Sequence, residues 1–252
     1  MPTPLLEISD LTKSFGGLVA VDNVTMAVHD NELIGLLGPN GAGKSTLINL
    51  ISGFYPPDKG TIQFSGGNIT HLSSHARVKM GIVRTFQLVS VFNNLTVLEN
   101  AALAQITYSN KYTSPKQRFM TELLDSKVTD SCMKELQTVD LQNKANTPVA
   151  NLAYGEKRKL EIVMALSLKP KLVLLDEPLS GLSEAEIPEL LDVLKKASET
   201  RTILLVEHKI SKISDFIRRL SVMFEGKIIS DGKPDEVLKD PYVRKVYWRY
   251  EQ

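Results

Sequence analysis

The apolar positions of this chain fall into short runs with two different periods. Residues 5–11 (LLEISDL) alternate apolar and polar, Phe15-Gly16-Gly17 breaks the pattern, and LVAVDNVTMAV (18–28) resumes it with β-branched residues at 19, 21, 24, 25 and 28. Two period-2 runs divided by a glycine turn predict a small antiparallel sheet. Leu33, Ile34, Leu36 and Leu37 then form an apolar run, followed by a glycine-rich turn and a segment with apolar positions at Leu47, Ile48, Leu50 and Ile51. This order predicts a buried strand, a tight loop and a helix.

The pattern continues with a turn at Pro56–Gly60, a strand at 61–66 returning to the first sheet, a short helix over Ser73–Met80 and a strand over 81–87 (GIVRTFQ). Residues 95–106 predict a helix in which Thr96 and Glu99 form a capping box. Residues 110–119 are polar, basic and broken by Pro115, which predicts an exposed excursion, and a charged amphipathic helix follows from about Phe119 to Leu136. Farther on, Leu172–Leu175 are continuously apolar, as a strand covered on both faces requires. An amphipathic helix over Ser183–Thr200, with Ser183 and Glu186 as its capping pair, leads to a second buried strand, TILLVEH (202–208). Residues 219–232 read as a hairpin around Glu225-Gly226. The stretch from Pro234 to Trp248 is helical in character, with Tyr242, Val246, Tyr247 and Trp248 expected over a sheet edge.

The resulting architecture is α/β, a mainly parallel core with an N-terminal antiparallel β subdomain. A helical block over 90–168 interrupts the core of 1–89 and 169–252 as an inserted subdomain rather than a separate domain.

Composition narrows the function. Thirty basic and 29 acidic residues leave a net charge of +1, so no global field draws nucleic acid. The single cysteine, Cys132, excludes an internal disulfide and fits a reducing compartment. The opening MPTPLLEISDL lacks the marks of a signal peptide, and no apolar run approaches membrane-spanning length. A function at a membrane would have to act through a partner.

The chemistry is concentrated where buried strands end. Gly38 to Ser45 spell G-x-x-x-x-G-K-S, with Pro39, Asn40, Gly41 and Ala42 inside and Thr46 following. A strand here delivers the chain to a helix N-terminus, whose first amides lack internal partners and curl around an anion. Lys44 is the expected partner of the β and γ phosphates and Ser45 of Mg²⁺, so the chain binds a nucleoside triphosphate. Asp176-Glu177-Pro178 ends the second apolar run. Asp176 is the expected carboxylate for Mg²⁺, and Glu177 the expected general base for an attacking water. His208, at the end of the next strand, is placed to donate to a γ-phosphate oxygen or to orient that water. Gln87, where the sheet gives way to the helical block, is a candidate Mg²⁺ ligand and sensor of a bound partner. Phe15 is a candidate platform for the adenine ring.

With these pieces placed, the sequence resembles the ATP-binding-cassette ATPases along essentially its whole length. The distinguishing feature is LAYGE, Leu152, Ala153, Tyr154, Gly155 and Glu156, ahead of the helix KRKLEIVMALSL. In that family this signature closes over the triphosphate of a second subunit, which implies a head-to-tail dimer of this chain with itself or with a paralogue. The resemblance assigns Phe15 to adenine stacking, Gln87 to sensing the membrane partner, SGLS (180–183) to the dimer interface and His208 to the switch histidine. GIVRTFQ, VFNNLTVLENAALA, Tyr154 and the basic excursion resemble most the longer ATPase of branched-chain amino-acid importers, with urea importers and lipopolysaccharide exporters close by. It implies ATP and Mg²⁺ as ligands and integral membrane permease subunits as partners. It also implies an extracytoplasmic solute-binding protein in the full system, no nucleic acid, and a place on the cytoplasmic face of the cell membrane. A soluble cassette ATPase without a transport role is one rival class, disfavoured by the single cassette and the absence of a long heptad run. A nucleotide-regulated interaction module that barely hydrolyses is the other, opposed by Asp176, Glu177 and His208 and kept open by Ala153. Two positions depart from the family pattern. Ala153 stands where serine is usual, removing a hydroxyl that would donate to the γ-phosphate across the dimer, and Ser183 stands where aspartate is common.

Overall fold

A computed structural model describes residues 3–85, 89–108, 126–208 and 213–247. The N-terminal alternation folds as expected. Strands β1 (Leu6–Phe15) and β2 (Leu18–Val28) pair antiparallel, and β4 (Lys59–Phe64) and the two-residue β5 (Gly67–Asn68) extend the sheet in the order β2-β1-β4-β5. The second sheet has six strands in the order β10-β9-β3-β8-β7-β6. Its members are β3 (Leu33–Leu37), β6 (Ile82–Arg84), β7 (Leu172–Asp176), β8 (Thr202–Glu207), β9 (Arg219–Phe224) and β10 (Lys227–Gly232). All neighbours run parallel except β10, which returns antiparallel to β9 in the hairpin expected around Glu225-Gly226. Every residue of β3, β7 and β8 is buried, which is why these strands read as unbroken apolar runs.

Helix α1 (Lys44–Ile51) packs its apolar face, Leu47, Ile48, Leu50 and Ile51, into the core shared by the two sheets. Arg77 on α2 (Ser74–Met80) caps its far end. This fully buried guanidinium donates to the carbonyls of Leu50 (2.6 Å), Ile51 (2.8 Å), Thr70 (2.9 Å) and Leu72 (3.1 Å), and burial lowers its pKa to about 10. The Leu50 carbonyl also accepts the Gly53 amide at 3.2 Å, and the arginine adds a charged donor to both of these last carbonyls of α1.

A third apolar cluster holds the helical block together. Val97, Ala101 and Ala102 of α3 (Val97–Tyr108) meet Cys132 and Leu136 of α4 (Ser126–Gln137) and Leu160 and Val163 of α5 (Tyr154–Ser167). The capping box forms as read: Thr96 N–H donates to Glu99 Oε2 at 2.7 Å and Glu99 N–H to Thr96 Oγ1 at 3.2 Å. Cys132 is buried and free, and burial pushes its thiol up to about 11.

Several boundaries differ from the sequence reading. Strand β6 ends at Arg84, and Gln87 and the basic excursion at 110–119 lie outside the described residues. Helix α6 spans Glu186–Ser198 rather than starting at Ser183. The Ser183 hydroxyl donates to Glu186 Oε2 (2.6 Å) instead of accepting an amide, so the box closes only through Ser183 N–H (2.9 Å) and the chain turns before the helix begins. The C-terminal stretch divides into α7 (Pro234–Val237) and α8 (Pro241–Tyr247). There Val243 and Val246 are buried while Tyr242 is 51% exposed, so valines rather than that tyrosine cover the sheet. Trp248 lies outside the described residues. No described helix is long and apolar enough to cross a membrane.

Candidate nucleotide site

Parallel pairing aligns the site. Leu36 of β3 pairs with Val206 of β8, and Val206 with Asp176 of β7, so three strands end at one rim. The glycine-rich loop leaves β3 there, Glu177 follows Asp176, and His208 follows Glu207. Ligand sites of open α/β sheets lie outside such carboxyl ends.

The loop from Gly38 to Gly43 leads into α1. Gly43 is its N-cap in the left-handed region (φ 102°), and a Cβ there would stand 2.2 Å from the Ala20 carbonyl, so any other residue would be both strained and blocked. The Lys44 ammonium is buried inside the curl, donating to the carbonyls of Gly38 (2.7 Å) and Pro39 (3.0 Å). Burial lowers its pKa, and Glu177, Asp176 and Glu207 pull it partly back. Those carboxylates favour the charged ammonium, and the N-terminus of α1 beside it adds a partial positive charge, a combination that suits an anion.

A cleft of about 510 Å³ opens over this loop. Its floor is Asn40 to Thr46, with Glu177 on one side. Phe15, Leu18, Val19 and Ala20 from the β1–β2 hairpin form a wall, joined by Glu225 and Gly226 from the β9–β10 turn. Phe15 is 42% exposed on the cleft and is braced edge-on by Tyr55, with centroids 5.3 Å apart. A braced aromatic partly open to the cleft suits a flat heterocycle. Leu18, Val19, Glu225 and Gly226 were not read as site residues in the sequence; they sit at two hairpins far apart in the chain, and no local pattern links them.

Asp176 is buried at the end of β7. Burial raises its carboxyl pKa, opposed chiefly by Arg84, whose Nη2 is 3.0 Å from Oδ2. The other terminal nitrogen of Arg84 donates to Asn49 Oδ1 on α1. Arg84 escaped the sequence reading, although a charged residue inside a short apolar strand is itself a signal. Glu177 adopts a left-handed backbone conformation (φ 48°) and its carboxylate lies 3.8 Å from His208 Nδ1. Glu207 was also missed. It is buried, accepts the Leu179 amide at 3.0 Å, and thereby anchors the turn that carries Glu177.

Ser45 and Asp176 fit a magnesium ion in donor chemistry. Both offer hard oxygens, and Mg²⁺ is commonly held by one or two carboxylates with phosphate oxygens and waters completing the shell. Among the described residues no group of three or more His, Cys, Asp or Glu could cage a metal alone.

The signature residues stand apart: none of Leu152, Ala153, Tyr154, Gly155 and Glu156 lines the cleft of its own chain. Ala153 is the N-cap of α5, and Glu156 accepts its N–H at 3.1 Å and pairs with Lys144. Alanine has no oxygen to complete the reciprocal bond. Gly155 packs against the Glu186 carboxylate and Tyr154 lies on Gly181, so the signature rests on the 180–186 segment.

Comparison with known proteins agrees with this geometry. Residues 21–180 match the family described as ABC transporter. The chain is 36% identical over 256 residues to the high-affinity branched-chain amino acid transport ATP-binding protein LivG of Salmonella typhimurium, covering 98% of each. It superposes on the crystal structure of the ADP conformation of an ATP-binding cassette of an ABC transporter with a TM-score of 0.86 at 30% identity, over 98% of this chain and 99% of that one. A dimeric cassette described as a post-hydrolysis state bound to ADP and Pi matches with a TM-score of 0.73 at 25% identity, over 91% and 98%. A phosphate loop, a strand-end Asp-Glu pair and a separately mounted signature helix, on this fold and with these relatives, place the chain in the ABC transporter family as an ATP-binding subunit of the LivG-like kind.

Proposed function

We propose that this chain hydrolyses MgATP to drive membrane uptake of small polar solutes, branched-chain amino acids foremost. The supporting observation is the register that brings Lys44, Asp176, Glu177 and His208 to one rim. The amides of the Gly38–Thr46 loop and the Lys44 ammonium bind the β and γ phosphates and offset the charge that grows on them in the transition state. Phe15 stacks on the adenine. Glu177 accepts the proton of the attacking water, and His208, close to that carboxylate, orients water or donates to a γ-phosphate oxygen. Ser45, Asp176 and Gln87 would hold Mg²⁺, which when bound polarises the phosphate oxygens.

The signature of a second subunit completes the site. The exclusion of Leu152–Glu156 from the cleft supports that reading, as does the likeness to a cassette solved as a dimer. The partner is a second copy or a paralogue, arranged head to tail on the cytoplasmic face of permease subunits that work with an extracytoplasmic solute-binding protein. The helical block relays closure to those subunits near Gln87.

The test has two parts. Glu177→Gln should abolish steady-state ATP hydrolysis while ATP still binds and traps a dimer; residual turnover would remove the general-base assignment. A pull-down from detergent-solubilised membranes should recover polytopic permease subunits. Recovery of ribosomal or DNA-repair proteins without them would overturn the transport role.

A further inference from the structure

Arg158 lies two residues beyond the signature and is completely buried. Its Nη1 donates to Glu161 Oε2 at 2.6 Å, forming an ion pair inside the protein. Its Nη2 donates to the main-chain carbonyl of Glu177 at 3.2 Å. Glu161, buried one turn along α5, accepts the Ser90 amide at 3.4 Å. One ion pair thus joins the signature helix, the turn after β7 and the segment entering the helical block.

The turn it reaches is unusual. Glu177 is not glycine, yet its φ is 48°, a conformation that persists only where its surroundings over-determine it. The restraints are visible: Glu177 N–H donates to the Val206 carbonyl (3.0 Å), and its own carbonyl receives the Ser180 amide (3.1 Å) and Arg158. The Val206 and Ser180 bonds belong to the core itself. Of these three partners, it is Arg158 that comes from the helical block.

We propose that Arg158 is the positioning residue for Glu177: it holds the Glu177 peptide in its left-handed conformation and transmits the placement of the signature helix to that carboxylate. The inference rests on the reading of Glu177 as general base. A guanidinium suits the task because it can engage a carboxylate and a carbonyl at once in a fixed plane, whereas an ammonium is a point charge on a flexible stem. When the signature helix is seated, Glu177 is aimed; when the helix moves, one of the restraints on a strained peptide is withdrawn.

The test compares the purified full chain with Arg158→Lys and with the charge-neutral pair Arg158→Met and Glu161→Leu. Thermal melting, binding of a fluorescent ATP analogue and steady-state ATPase kinetics are measured on each, with Glu177→Gln alongside. The proposal expects cooperative melting and analogue affinity and KM within about twofold of the parent, with kcat lowered about tenfold or more. It is overturned if folded variants retain kcat within about twofold. It is equally overturned if kcat, KM and melting temperature fall together, or if neither variant melts cooperatively, since Arg158 would then be a stability residue. Turnover in Glu177→Gln would remove the underlying base assignment; an inactive Glu177→Gln beside active Arg158 variants would remove only the positioning role.

Discussion

Arg84 and Asp176 form an ion pair at 3.0 Å across neighbouring parallel strands, and the same guanidinium reaches Asn49 of the phosphate-loop helix. The aspartate is buried, so its charge depends on close compensation. Arg84→Met should therefore destabilise the nucleotide-free chain by about 3 kcal/mol, the usual cost of stranding one member of a buried pair. Chemical denaturation measures this. Addition of MgADP should recover part of the loss, because a divalent cation supplies the carboxylate with another partner.

Gly38 has no room for a side chain. A Cβ would stand 2.2 Å from the Met223 carbonyl of β9, and this obstacle is the backbone of a strand paired on both sides. Gly38→Ala should cost about 2 kcal/mol or more and weaken binding of an ATP analogue, because the loop must shift outward. Gly155→Ala is the contrast. Its added Cβ meets only the Glu186 side chain, which can move aside by loosening its bonds from Ser183. That variant should lose less stability than Gly38→Ala while losing the Gly155–Glu186 contact of the signature with the 180–186 segment.

Ala153 leaves the cap of α5 half made. Ala153→Ser supplies the missing oxygen and should stabilise the isolated chain by about 1 kcal/mol in chemical denaturation. If the signature serves a second subunit's nucleotide, the added hydroxyl should also strengthen ATP-dependent pairing by about 1–2 kcal/mol. Sedimentation of the variant in a Glu177→Gln background would measure this second effect independently of the first.

Glu156 carries a pH dependence. Burial would raise its pKa from 4.5, but hydrogen bonds from Lys144 and the Ala153 amide outweigh it and hold the carboxyl lower. The charged form is thus favoured by folding. Its contribution is complete above about pH 4.5, the unfolded-state value, and is lost as pH falls through the lower folded value. Glu156→Gln should be less stable than the parent at neutral pH and should lose less on acidification, so the two curves converge in acid. Parallel curves across this window would contradict the role of Glu156.

Most of the architecture was legible because its signals are local. Alternation marked β1 and β2, unbroken apolar runs marked the doubly covered β3, β7 and β8, and the Thr96–Glu99 pair marked a helix start that forms as read. Where local signals competed, the reading slipped. Ser183 and Glu186 have the spacing of a capping box, yet a hydroxyl can donate to the carboxylate as well as accept an amide, and here it donates.

The sequence by itself determined that a triphosphate loop follows a buried strand, that an Asp-Glu pair ends another, and that a signature opens a helix between them. Each is a contiguous motif whose chemistry is written in adjacent residues. The tertiary structure alone decided that Arg84 neutralises Asp176, that Glu207 anchors the turn bearing Glu177, and that Arg158 reaches the Glu177 carbonyl. It alone joined the 15–20 and 225–226 turns into one wall of the cleft. These relationships depend on strand order and on counter-charges found across the core, where burial rather than sequence proximity sets which groups must meet.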